Sequence, residues 1–268
     1  AMKLAEKIKY AKGIADSYNT LGWTYFHKGD YVKAEEHLQS SLEKFRTIGN
    51  KTFIKKPLSN LATLYAEKTE YEKSLRCLRE ILLYDDEIKD KAALGRDLYQ
   101  VGRLYNLLHN YKTAREYFEK SYENSKAVND EVQMAEALMT IGNTWQSEGN
   151  QQEALKYYTA CLQYLQKQED YYRTGLLYEN MGGSYMRLGN YNAAAKNYGL
   201  AKENYKKIDS KADMLYACTG LSNVYTALGD SVHALGQLHE ALQYATELNS
   251  QKLRQRVMSN LSDFYYSR

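Results

Sequence analysis

The stretch from Tyr178 to Ala201, YENMGGSYMRLGNYNAAAKNYGLA, decides the fold of this chain. Side chains three and four positions apart stack above each other on a helix. Tyr178, Met181, Gly182 and Tyr185 therefore share one face, and Ala194, Tyr198 and Ala201 share another after a break at Gly189-Asn190. Gly182 leaves a notch that a facing helix can enter. The stretch reads as a helical hairpin with a seam of small residues against large ones.

The notch recurs every forty residues, at Gly22, Ala62, Gly102, Gly142, Gly182, Ser222 and Ser262. Around it the first-helix pattern repeats, as in Leu98-Val101-Gly102-Tyr105 and Leu138-Ile141-Gly142-Trp145. The second helix repeats as Ala34-Leu38, Ser74-Leu78, Ala114-Phe118, Ala154-Tyr158, Ala194-Tyr198 and Ala234-Leu238. Seven notches with no insertion between them make the repeat the fold.

Composition agrees. One proline in 268 residues suits a nearly all-helical chain, because proline removes a backbone donor and clashes inside a helix. The 27 tyrosines suit thin helical layers, where a ring can be buried while its hydroxyl reaches a partner or water. With 36 basic and 33 acidic residues, the net charge of +3 gives no field that would argue for nucleic acid or anionic lipid. Cys77, Cys161 and Cys218 are odd in number and far apart, which argues against a disulfide framework or a structural zinc site. No apolar run approaches the ~18 residues that a membrane span needs.

These residues resemble the tetratricopeptide repeat, whose signature is W-x2-L-G-x2-Y, then A-x3-F, then P. The resemblance covers essentially the whole chain and implies an all-α fold, a right-handed superhelical solenoid of antiparallel helix hairpins. The chain departs from the signature in two ways: the period is forty, and Arg46, Asp86, Lys126, Gln166, Lys206 and Thr246 stand where the closing proline belongs. Without that stop the helices run on, and six further residues add about 9 Å. Asp130, Ser210 and Ser250 are placed to cap the helices that follow. The forty-residue form is similar to arrays in bacterial sensor and regulator proteins and in polarity adaptors. Residues 1–9 read as the tail of a truncated repeat, 10–250 as six repeats and 251–268 as the first helix of a truncated seventh. Pro57 predicts either that its helix starts late, near Lys56, so that the proline falls in the first turn, which is the leading reading, or that the helix bends there.

No catalytic constellation is visible. The five histidines include no pair at helical metal-site spacing and no HExxH, and Gly182-Gly183 lies within a helix rather than after a strand. His109 reads as a solvated turn residue. The chain is expected to be no enzyme, and to need no metal or cofactor.

In the architecture that the resemblance implies, first helices line a concave groove. That places Lys56, Asn60, Arg96, Tyr99, Arg103, Asn143, Asn180, Asn223 and Asn260 on the groove wall, with Trp23 and Phe26 as an aromatic patch near its start. A carboxamide both donates and accepts, so such asparagines could hold the backbone of an extended peptide. They could equally bond to each other between neighbouring helices, and both readings stay open. Lys56, Arg96 and Arg103 form a basic cluster suited to an acidic or phosphorylated segment. The leading expectation is a scaffold that binds a peptide or protein segment, with no nucleic acid and no membrane contact in this segment. The alternative is a regulatory sensor array controlling an attached histidine kinase, cyclase or DNA-binding domain. The cytoplasm is the default compartment, with the periplasm open to a parent chain carrying an export signal.

Overall fold

A computed structural model describes residue 5, residues 7 and 8, and residues 10–266. The described residues form thirteen α-helices and no strand: α1 Ala11–His27, α2 Tyr31–Ile48, α3 Lys51–Glu67, α4 Tyr71–Ile88, α5 Lys91–Leu107, α6 Tyr111–Lys126, α7 Glu131–Ser147, α8 Gln151–Lys167, α9 Tyr171–Arg187, α10 Tyr191–Lys207, α11 Lys211–Ala227, α12 Ser231–Glu247 and α13 Gln251–Tyr266. The expected tail at residues 1–9 lies largely outside the described residues.

A helix begins every twenty residues, and capping chemistry returns at most of those starts, Tyr10, Glu70 and Ser210 being without a side-chain cap bond. Carboxylates or carboxamides at Asp30, Asn50, Asp90, Asn110, Asp170, Asn190 and Asp230 each accept from the backbone N–H three residues on. Each satisfies an N–H that the helix itself cannot. One residue before these positions the chain turns left-handed. Gly29 does so at φ 77°, and His109 and Asn129 do so at 56° and 55° without glycine's freedom. The turn is closed by a six-residue hydrogen bond, such as Asp30 N–H to the Tyr25 carbonyl at 3.0 Å. These devices, rather than a proline, stop the helices, and the second helix of most hairpins runs one or two residues past the place of the missing proline.

Pro57 does not mark a late start. Helix α3 begins at Lys51, and Pro57 is buried inside it. The Asn50 side chain accepts from Phe53 N–H at 3.2 Å and fixes the first turn. Burial of Ile54 and contact of the Phe53 ring with Phe45 then favour that turn over the one hydrogen bond that proline forgoes.

The helices fall into two compact units, Ala1–Gln133 and Met134–Arg268, each a stack of antiparallel hairpins. The core of the first unit runs through Ala15, Leu38, Phe45, Leu58, Leu61, Leu78, Ile81 and Val101. In the second, Leu215, Cys218, Leu238, Ala241, Val257, Leu261 and Phe264 pack together. In both, the notch receives the large residue sixteen positions later, on the second helix of the same hairpin. A Cβ on Gly22 would lie 2.6 Å from Leu38, and one on Gly102 would lie 2.7 Å from Phe118. A second tie recurs one turn further along: Ser41 Oγ donates to the Ala15 carbonyl at 2.8 Å, Ser121 Oγ to Gly95 at 2.7 Å and Cys161 Sγ to Ala135 at 3.2 Å.

Candidate functional site

The odd-numbered helices carry the expected site residues. In the first unit, Lys56 and Arg96 are exposed, each about 3.9 Å from a carboxylate, Asp16 and Asp130 respectively. At that length and exposure the pairs add little stability and leave both cations open to a ligand. Arg103 is exposed and donates to Gln100 Oε1 at 3.2 Å. Asn60 is half-buried, and its Nδ2 donates to Asn19 Oδ1 at 3.0 Å. Tyr99 is placed differently from its neighbours: it is 7% exposed, with its ring against Phe118 at 5.2 Å, and so it packs the hairpin. Trp23 and Phe26 stack at 4.9 Å, with His27 edge-on to Trp23 at 4.8 Å.

In the second unit, Asn143 and Asn180 meet. Asn180 Nδ2 donates to Asn143 Oδ1 at 3.2 Å, and the same oxygen accepts from Tyr158 Oη at 2.7 Å. Gln146 Nε2 joins them, donating to the Asn180 carbonyl at 3.0 Å and to Ser184 Oγ at 2.9 Å. Here the asparagines bond between helices. Asn223 and Asn260 do not. They line a cleft of about 230 Å³ together with Ser222, Thr226, Leu238, Asp263 and Phe264. Nearby, Tyr205 Oη donates to Glu179 Oε2 at 3.0 Å, yet burial still holds the Glu179 carboxyl above the usual carboxylate range.

One charged cluster went unread in the sequence. Lys55 pairs with Asp85 and, at 2.9 Å, with Asp97. The Asp85 carboxylate is fully buried, and its Oδ2 has no hydrogen-bond partner. Burial, aided by Asp97, pushes Asp85 up to about 6 despite Lys55. The signal was faint, because Asp85 lies in an acidic pair, Asp85-Asp86, that reads as a solvated face. Among the described residues no group of three or more His, Cys, Asp or Glu side chains could hold a metal, and no helix is long and apolar enough to cross a membrane. His109 is exposed at its turn, with Nδ1 3.0 Å from Tyr111 Oη.

Tetratricopeptide-repeat models match residues 14–48 and 56–127. No curated protein matches the chain by sequence. Among solved structures it is similar to BtubC from P. vanneervenii, with a TM-score of 0.68 at 18% identity over 90% of this chain and 93% of that one. It is also similar to a signal-transduction ATPase with a tetratricopeptide-repeat sensor from Pyrococcus horikoshii, with a TM-score of 0.80 at 18% identity, covering 96% of this chain and 40% of that one. Aspartyl phosphate phosphatase F from Bacillus subtilis aligns with a TM-score of 0.74 at 13% identity, over 98% and 73% of the two chains. The forty-residue ruler, the notch that receives a large side chain and these matches converge on one assignment: residues 14–48 and 56–127 are tetratricopeptide repeats, within an array of similar fold.

Proposed function

We propose that the chain is a scaffold that binds a segment of another protein along the first-helix faces of its hairpins. Tetratricopeptide-repeat proteins are in general non-catalytic scaffolds, and this reading assigns no chemistry to the chain. The observation that carries it is a division of labour among the polar side chains of the odd-numbered helices. Asn60, Asn143 and Asn180 are spent on bonds between helices, whereas Asn223 and Asn260 flank a cleft, and Lys56, Arg96 and Arg103 stand exposed. Groups that neither pack nor bridge the helices are free to meet a partner.

A peptide-display selection against the whole chain tests this. Binders recovered from it should lose at least about tenfold in affinity, some 1.4 kcal/mol, in either Asn223→Ala/Asn260→Ala or Arg96→Glu/Arg103→Glu. Circular dichroism should show unchanged helicity in both. Binders indifferent to both pairs would overturn the proposal.

The match to a chain described as carrying a tetratricopeptide-repeat sensor supports a second reading, in which the array regulates an attached output domain. The full parent sequence separates the two, since the second reading requires such a domain beside the array.

A further inference from the structure

Asn223 and Asn260 repeat the register of Asn143 and Asn180 eighty residues on, yet the two pairs behave differently. Asn143 is fixed by the Tyr158 hydroxyl at 2.7 Å and closes onto Asn180. The residue in the place of Tyr158 is Leu238, which has no hydroxyl to offer Asn223. Among the described residues neither Asn223 nor Asn260 makes a side-chain hydrogen bond, and a cleft of about 230 Å³ stands where the closed pair would be.

The lining of that cleft is specific. Leu238 and Phe264 form an apolar floor. Ser222 is 2% exposed, makes no side-chain hydrogen bond among the described residues, and lines the opening. Asp263 is the one charged residue of the lining and has no ion-pair partner among the described residues. An apolar floor, one carboxylate and two carboxamide oxygens suit an alkyl stem that ends in an ammonium with three donors. An acidic side chain would meet Asp263 instead. A guanidinium is a planar fork better matched to a bidentate carboxylate than to oxygens spread around a rim.

Resting on the segment-binding reading above and naming its chemistry, we propose that this cleft seats a lysine side chain of the bound segment. The stem lies on Leu238 and Phe264, and the ammonium donates to Asp263 and to the amide oxygens of Asn223 and Asn260.

The test uses the whole chain labelled with nitrogen-15 and the peptide acetyl-Gly-Gly-Lys-Gly-Gly-amide, alongside versions with norleucine, glutamate or arginine at the centre. The side-chain amide signals of Asn223 and Asn260, assigned from their single alanine variants, should move with the lysine peptide and stay still with norleucine. Asp263→Asn should weaken the response at least about tenfold. Ser222→Gly combined with Leu238→Tyr should rebuild the arrangement of Gly142 and Tyr158, close the cleft and abolish the response without lowering the melting temperature. Equal response to norleucine, tighter binding of glutamate or arginine, indifference to Asp263→Asn, or no movement of either amide would each overturn the proposal. Display-selected binders that depend on Arg96 and Arg103 would still stand in those cases, so the lysine seat can fail without the segment-binding reading failing.

Discussion

Gly142 and Tyr158 occupy one space: a Cβ on the glycine would lie 2.4 Å from Cε1 of the tyrosine ring. That ring is fully buried and its hydroxyl is bound to Asn143, so it cannot swing away. Gly142→Ala should therefore destabilise by about 1–3 kcal/mol, even though alanine is the better helix former. In a Tyr158→Leu background the same change should cost at least about 1 kcal/mol less. The sequence already contains that combination, since Ala62 is matched with Leu78. Urea unfolding of the four members of the cycle measures the coupling, and additive effects would refute the size-matched notch.

Gly236 provides the opposite case. It lies inside α12 with nothing within 4 Å of where its Cβ would be. Gly236→Ala should raise stability by about 0.5–1 kcal/mol through helix propensity alone. A loss, read from the same unfolding curves, would show that the position is packed.

Tyr158→Phe removes a single hydroxyl. Asn143 keeps its bond to Asn180 but loses the one from the ring, so stability should fall by about 0.5–1.5 kcal/mol. The side-chain amide signals of Asn143 and Asn180 should broaden or shift as the pair loosens. Unchanged signals would mean that Leu238 is not the reason the corresponding pair stays apart.

The repeat was legible in the sequence because packing fixes its notch residues: a position that must admit a large side chain from the next helix holds glycine, alanine or serine and nothing larger. The helix ends were legible in part. Asp130 and Ser250 stood out as caps and accept from Gln133 N–H at 3.1 Å and Leu253 N–H at 3.4 Å, whereas Ser210, also expected to cap, makes no such bond because its Oγ donates to Asp213. The full twenty-residue recurrence of Asp and Asn lay between the notches and went unread. Pro57 misled, because a local rule about proline was outweighed by burial of the turn before it. The site was the least legible. Asn143 and Asn223 hold the same register, and only the residue across the hairpin, Tyr158 or Leu238, decides which one is spent on the fold. That decision depends on side-chain length across a helix pair, which periodicity along one helix does not encode.

The buried cluster of Lys55, Asp85 and Asp97 gives the first unit a pH dependence of definite sign. Burial lifts Asp85 from 3.8 to about 6, so the folded state holds this proton more tightly than the unfolded chain does. The resulting stabilisation is complete below about pH 4 and is lost as the pH rises through about 6. At about 1.4 kcal/mol per pKa unit the loss amounts to at most about 3 kcal/mol. Several paired carboxylates act in the other direction: Lys68 and Tyr65 hold Glu35 low against its burial, and Lys202 does the same for Glu240. The raw stability profile therefore mixes both signs, and the contribution of Asp85 appears only by difference. Asp85→Asn removes the titration and leaves Lys55 its contact with Asp97. Urea unfolding between about pH 4 and pH 7 should show the variant gaining on the parent as the pH rises. Parallel profiles would mean that Asp85 stays ionised in the folded protein and that its ion pair with Lys55 outweighs its burial.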